Sequence, residues 1–150
     1  MAAATHDLIA SAKKINDNAS CEADWRAACS RSYYAVFGAS KTFHETLPSP
    51  GSLGATPSVG MHGSVISQLS NPTVSSSDIR LKSKKIGYIL KSMYEKRIRS
   101  DYKLDQDVSL EDAMNALAEC EQLSNLLAAP AAATSTPAGT SGLPHLKRIK

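Results

Sequence analysis

Long apolar runs are missing from this 150-residue sequence. Although 42% of it is hydrophobic, no stretch approaches the roughly 18 residues that a membrane span needs, so the sequence predicts no membrane helix. The opening segment MAAATHDLIA has no basic stretch leading into an apolar one, so no signal peptide is expected. Paired cysteines are missing too. Cys21, Cys29 and Cys120 are an odd set with no CxxC spacing. Each falls in a helical pattern, where a free thiol behaves as a small buried hydrophobe. The expectation is a reduced, cytoplasmic protein without structural disulfides. No His, Cys, Asp and Glu set has the spacing of a metal site. There is no nucleophile elbow and no dinucleotide fingerprint, and the Gly-rich stretch PSPGSLGATPSVG lacks the Gly-Lys-Ser/Thr ending of a phosphate loop. The sequence therefore implies no cofactor. Alternating β-branched segments are absent as well, which argues against strands.

What remains is helical periodicity. A first helix is expected over about 6–18, capped by Thr5, with Leu8, Ala12 and Ile15 on one face. A second begins after Ser20, with Glu22 and Asp24 suited to the positive end of the helix dipole. It carries Trp25, Cys29, Ser32, Val36, Ala39, Phe43 and Leu47 in steps of three and four, a bundle seam that Pro48 ends. A Pro/Gly/Ser loop over 48–60 leads to a short third helix over about 61–70. After NPTVSSS, Ser77 is expected to cap a fourth helix whose stripe is Ile79, Ser83, Ile86, Leu90, Met93 or Tyr94, then Arg97. A fifth starts at Ser109, where Asp112 makes a box-like cap and Val108 can staple against Ala113. Its stripe is Leu110, Ala113, Leu117, Cys120, Ser124 and Leu127. From about Ala128 the chain turns to small residues, Pro and Gly, which cannot bury enough apolar area to offset chain entropy. The fold class expected is all-α: an up-and-down bundle of four to five helices over 1–127, followed by a flexible, basic-tipped tail over 128–150.

Charge is segregated along the chain. Lys147, Arg148 and Lys150 account for the net charge of +3. Nine Lys and Arg lie from Arg80 to Lys103 against Glu95 and Asp101, whereas 105–121 holds six acids and no base. A basic helix of this density is the footprint of a phosphate-backbone ligand. It is equally what a helix facing water beside an acidic neighbour would show.

The segment KRIRSDYKL concentrates the question. Ile86, Leu90, Met93 and Arg97 step by four, three and four, which puts Arg97 on the apolar face. A lone Arg there is costly unless it has a partner or lines a cleft. Asp101, one turn on, can hold it as an i,i+4 pair, and Tyr102 brings a hydroxyl to the same end. One reading is a helix-end ion pair; the other is a cleft in which Arg97 receives a phosphate bidentately. Of Tyr33 and Tyr34 on the second helix, one hydroxyl can reach this cluster. His62 can cap the third helix or approach the fourth, and His44 is expected to face solvent.

Three segments together, SRSYYAVFGASKTF, MHGSVISQL and YEKRIRSDYKL, followed by VSLEDAMNALAECEQL, resemble the HEPN superfamily. The likeness is to small bacterial members with an AYYA-x-F-x-A second helix and an R-x3-DY fourth helix, and it runs over about 20–127. It implies a dimeric helical bundle, with RNA as ligand, in a toxin–antitoxin or phage-defence context. A nucleotidyltransferase antitoxin or another defence component is the implied partner. Many members are metal-independent endoribonucleases whose motif pairs an Arg with a His a few residues later. Here the matching Arg is Arg97, and Tyr102 stands where that His is expected. A Tyr hydroxyl titrates near pH ~10 and is a poor base at neutral pH. The resemblance makes Arg97, Asp101, Tyr102 and His62 the candidate catalytic residues and Lys91, Lys96, Arg99 and Lys103 the candidate RNA-binding residues. A non-catalytic binding module and a plain helical scaffold are the other readings of the same segments.

Overall fold

The computed structural model describes residues 3–54 and 60–130. These form five helices and no strand: α1 Thr5–Asp17, α2 Glu22–Glu45, α3 Gly60–Ser70, α4 Ser77–Tyr102 and α5 Leu110–Ala128. The expected tail lies, from residue 131 onward, outside the described residues. No helix among the described residues is long and apolar enough to cross a membrane.

Cross-helix contacts fix the directions. Arg26 at the start of α2 meets Arg99 and Ser100 at the end of α4, while Phe43 near the end of α2 lies under Lys82 near the start of α4. The two helices are therefore antiparallel. On α4 and α5, Lys82 meets Ala129, Ser92 meets Glu119, and Arg99 meets Asp112, which makes this pair antiparallel too. The bundle is up-and-down, with α2 packed against α1, α4 and α5, and α3 seated mainly on α4.

The expected seams make the core. Val36, Ile86, Leu90 and Met93 are buried with Tyr33, Val65, Leu69 and Leu123 in one cluster. Cys29, Ala113, Ala116 and Val108 form a second cluster at the α2/α5 end. Burial of this kind is the main favourable term holding the helices together. Gly87 sets how closely α3 lies on α4. A Cβ there would stand 2.5 Å from the Ser70 Oγ and 2.7 Å from the Ser70 backbone nitrogen.

Several details differ from the sequence reading. The N-caps are Ala4, Cys21 and Ser76 rather than Thr5, Ser20 and Ser77. At α1 the Asp7 carboxylate accepts the Ala4 N–H, and at α2 Asp24 accepts the Ser20 N–H at 2.9 Å. In both, an acidic side chain inside the first turn reaches back to a backbone N–H ahead of the helix, the reciprocal half of a capping box, and no N-cap side chain accepts a first-turn N–H. Of three consecutive serines, Ser76 accepts the Ile79 N–H. At α5 the expected capping box is present, with Ser109 and Asp112 serving each other, and Val108 is buried beside Ala113. Leu110 is exposed, because the α5 seam runs through Ala113, Ala116, Cys120 and Leu123, whose small members let α5 lie close. His44 is half-buried, and its Nε2 meets the Pro50 carbonyl at 3.0 Å at an exposed position.

Candidate functional site

The end of α4 is held by a residue of α2. Arg26 donates from Nη1 to the carbonyls of Arg99 (3.0 Å), Ser100 (3.1 Å) and Lys103 (3.4 Å), and from Nη2 to that of Gln106. Its remaining contacts go to Glu22, one turn earlier, whose carboxylate also accepts the Val108 N–H at 3.2 Å. The Arg26 hydrogen bond first, then the Val108 N–H, holds the Glu22 carboxyl below its usual range. A helix leaves its last carbonyls without intrahelical donors. Here no Gly follows to close the end as a C-cap, and one guanidinium satisfies those carbonyls instead.

That clamp fixes the turn bearing Arg97, Asp101 and Tyr102. Arg97 is buried, at 8% exposure. Its Nη2 donates to the hydroxyls of Tyr34 and of Tyr102, the latter at 3.1 Å. Both rings stand against the guanidinium, with centroids 5.1 Å (Tyr34) and 4.9 Å (Tyr102) from Cζ, a cation–π arrangement. Nε lies 3.0 Å from the Asp101 carboxylate, as the i,i+4 spacing predicts, but the N–H is not aimed along that line. Asp101 in turn accepts the Ser30 hydroxyl from α2 at 3.0 Å. Burial opposes the charge on Arg97, yet Tyr34, Tyr102 and Asp101 outweigh it, and the net shift of its pKa is upward. Nη1 makes no hydrogen bond among the described residues. The group is thus a fixed cation between two rings that stay open to solvent, Tyr34 at 40% and Tyr102 at 66% exposure.

Behind it sits an aromatic box. Tyr33 is fully buried, with the rings of Tyr34, Phe37, His62 and Tyr94 between 5.5 and 5.7 Å away. His62, near the start of α3, stacks on Phe37 at 4.0 Å, and its Nδ1 is hydrogen-bonded to the Tyr33 hydroxyl at 2.7 Å. Burial, and then the charge of Arg97, lowers the His62 pKa from 6.5, so the ring is neutral at neutral pH. Burial pushes the Tyr33 phenol well above its ordinary value. The chain has only two Phe, five Tyr and one Trp. Of these, Tyr33, Tyr34, Phe37, Tyr94 and Tyr102 all gather at this one place.

The structure therefore brings Arg97, Asp101 and Tyr102 together, with His62 one ring layer behind them. It places the candidate RNA-binding residues elsewhere. Lys96 pairs with Glu119 at 2.9 Å and Arg99 with Asp112 at 2.7 Å, on the α5 side of α4. Both line a concavity of about 410 Å³ together with Lys103. Lys91 is exposed on the outer face of α4. The expected pairing of basic and acidic helices thus accounts for Lys96 and Arg99, while Lys91 and Lys103 have no ion-pair partner among the described residues. Arg26 and Ser30 were not legible as site residues. The signal for Arg26 is its i,i+4 spacing to Glu22 combined with an α4 terminus that has no glycine cap. Among the described residues no cluster of His, Cys, Asp and Glu is placed to hold a metal ion. Comparison with known protein families, with curated proteins and with solved structures finds no match.

Proposed function

We propose that the chain is an RNA-binding bundle of the HEPN type, in a toxin–antitoxin or phage-defence setting, in which Arg97 receives a phosphate. One observation carries this reading: the Arg97 guanidinium is held on one side by two Tyr hydroxyls and Asp101 while its Nη1 is left open. A pre-oriented guanidinium is suited to an anionic oxygen because the cost of ordering it has already been met in folding. The exposed rings of Tyr34 and Tyr102 offer flat faces on which unpaired bases stack. Binding is the part of the function this geometry supports best. Cleavage would add a demand for a base to take the proton of an attacking 2′-hydroxyl, and neutral His62 is the nearby group with a suitable protonation state. In that case Arg97 would stabilise the charge developing on the phosphorus-bound oxygens.

A homodimer belongs to the same proposal. Ala27, Arg31, Tyr34 and Gly38 follow one another at helical spacing on α2, are exposed, and border the site. A Cβ on Gly38 would meet nothing within 4 Å, so the single chain gives no packing reason for a mid-helix glycine there. A second copy, or an antitoxin partner, is what this face would meet.

The test is Arg97→Ala and Arg97→Lys, assayed for RNA binding by fluorescence anisotropy and for growth and RNA integrity on expression in a bacterial host. Both variants should lose binding, the Lys variant nearly as badly, since an ammonium lacks the planar guanidinium that two Tyr hydroxyls and Asp101 hold with one further nitrogen aimed outward. Wild-type binding in both, with unchanged circular dichroism, would leave Arg97 a structural ion-pair residue and remove this reading.

A further inference from the structure

We infer that the outward face of α4 around Tyr88 is a second contact surface, for single-stranded nucleic acid, separate from the Arg97 site. Five cations of α4 are already engaged. Arg80 donates to the carbonyls of Val74 and Ser75, Lys82 to that of Ala129, and Lys96, Arg97 and Arg99 pair with Glu119, Asp101 and Asp112. Lys84, Lys85 and Lys91 have no hydrogen-bond or ion-pair partner among the described residues, and all three are exposed. They surround Tyr88, at 67% exposure the most open Tyr ring of the chain.

The spacing is that of one helical face. Lys84, Tyr88 and Lys91 step by four and three, so two cations flank one ring and lie about 10 Å apart along the helix axis. Glu95, one turn further, ends the basic patch. Core residues Ile86, Leu90, Met93 and Arg97 occupy the opposite side of the same helix, which separates this face from the site proposed above.

A second feature gives the face a shape. Lys85 and Tyr88 also border a depression of about 420 Å³ between α4 and α5, with Ile89 and Leu126 as apolar walls and the Gln122 amide at the edge. An exposed ring beside an apolar hollow, with one amide and unpaired lysines at the rim, fits a nucleotide. The base stacks on Tyr88 over Ile89 and Leu126, Gln122 meets its edge, and phosphates on either side meet Lys84 and Lys91. Charge complementarity selects the occupant: three unpaired cations, Lys84 and Lys91 two turns apart and Lys85 beside them, suit the regular negative charge of a phosphodiester strand. A membrane surface would want a wider apolar face than Leu81 and Tyr88 provide.

The inference shares its ligand class with the proposed function but not its site, and the test keeps them apart. Full-length protein is titrated into a labelled single-stranded oligouridine of roughly 12 nucleotides, within the length such surfaces cover. Tyr88→Ala should weaken binding roughly tenfold, while Tyr88→Phe, which keeps the ring, should not. Lys84→Gln with Lys91→Gln should flatten the dependence of log affinity on log salt by roughly 1.4, or about 0.7 per phosphate contact. Where one strand reaches both sites, losses from Tyr88→Ala and Arg97→Ala should multiply in the double variant, because the sites share no residue. If the face variants bind like wild type while Arg97→Ala abolishes binding, the inference falls and the Arg97 reading stands. If Arg97→Ala is silent and the face variants lose binding, the inference stands and the other reading falls. Binding to phosphatidylserine vesicles that the face variants lose, with oligouridine binding unchanged, would overturn the inference in favour of a membrane surface.

Discussion

Arg26 Nη1 donates to the Ser100 carbonyl across 3.1 Å, although 74 residues separate the two in sequence. The bond joins the start of α2 to the end of α4, the turn on which Arg97, Asp101 and Tyr102 are presented. Arg26→Ala would leave the partly buried carbonyls of Arg99 and Ser100 without this donor and remove the partner of Glu22. It is expected to destabilise the fold by about 1.5–3 kcal/mol in urea denaturation, the range for hydrogen bonds to a charged group. Arg26→Lys should recover only part of this, since one ammonium cannot cover carbonyls spread over several residues. An unchanged midpoint in both would mean that the α4 end needs no clamp.

Gly87 offers a test of how α3 is held. A methyl there meets Ser70 backbone as well as its side chain, so the neighbour cannot simply rotate away. Gly87→Ala usually gains helix propensity, but here overpacking should outweigh it, with a net loss of about 1–3 kcal/mol. Because α3 carries His62, the same variant should shift the His62 ring resonances in NMR spectra. Higher stability with unmoved resonances would contradict the close approach described for α3 and α4.

The bundle itself was legible in the sequence because its seams follow strict helical spacing. Val36, Ile86, Leu90 and Cys120 are core residues in the positions their periodicity assigns, and the box at Ser109 and Asp112 formed as its pattern dictates. Arg97 was also legible, since its step from Met93 forced it onto the buried side and its pair with Asp101 follows from i,i+4 spacing. The pairing of Tyr34 rather than Tyr33 with Arg97 was not, because adjacent residues on a helix differ by about 100° in direction and the sequence does not say how α2 is rotated on α4. The Arg26 clamp escaped for a similar reason. It links residues far apart in sequence, and only the antiparallel packing of α2 on α4 brings them together. The caps missed by one residue where several Ser, Thr or Asp compete for the same N–H groups.

His62 should titrate as its surroundings dictate. Burial, and then the Arg97 charge, disfavour the protonated ring, so its folded pKa lies below 6.5. In the window between the folded value and 6.5 the unfolded chain binds more protons than the folded one. Stability from this residue is therefore present above 6.5 and is lost as pH falls through that window. An NMR titration of the His62 ring should give a midpoint below 6.5, and Arg97→Gln should move it back upward. A midpoint at or above 6.5 would show that the ring is open to water and not coupled to Arg97.

Gly38 tests the proposed dimer. The open space around it means that a long side chain fits in the single chain without a clash. Gly38→Arg should therefore leave circular dichroism and the unfolding midpoint of the monomer nearly unchanged, with a small gain from helix propensity. If a second copy covers this face, the added cation should break the pair. Sedimentation would then show a dimer for wild type and a monomer for the variant at micromolar concentration. A monomer for both would remove the dimer, and dimers for both would place the interface elsewhere.

Under the proposed function, Tyr102 is the residue at which binding and cleavage can be told apart. It is 66% exposed, so substitutions there should cost little stability, and its hydroxyl accepts from the Arg97 Nη2 at 3.1 Å. Tyr102→Phe keeps the ring against the guanidinium and removes that acceptor. Because Tyr34 still holds Nη2, RNA affinity should fall only a few-fold, by roughly the 1 kcal/mol of one hydrogen bond. Tyr102→Ala removes the ring as well and should cost more, since stacking on an aromatic face contributes about 1–3 kcal/mol per base. Tyr102→His is the informative change. It puts an imidazole with a near-neutral pKa at the end of α4, beside the place where the proposed function sets a phosphate on Arg97, so that a general base can take the proton of a 2′-hydroxyl. The expected outcome is metal-independent cleavage of single-stranded RNA that wild type lacks, with an activity that rises through the titration of the new imidazole and vanishes on adding Arg97→Ala. Cleavage by wild type itself, abolished by His62→Ala, would instead make His62 the base already in use. If Tyr102→His binds RNA without cleaving it in either case, the site is one for holding a strand, and Arg97 is its anchor rather than a catalyst.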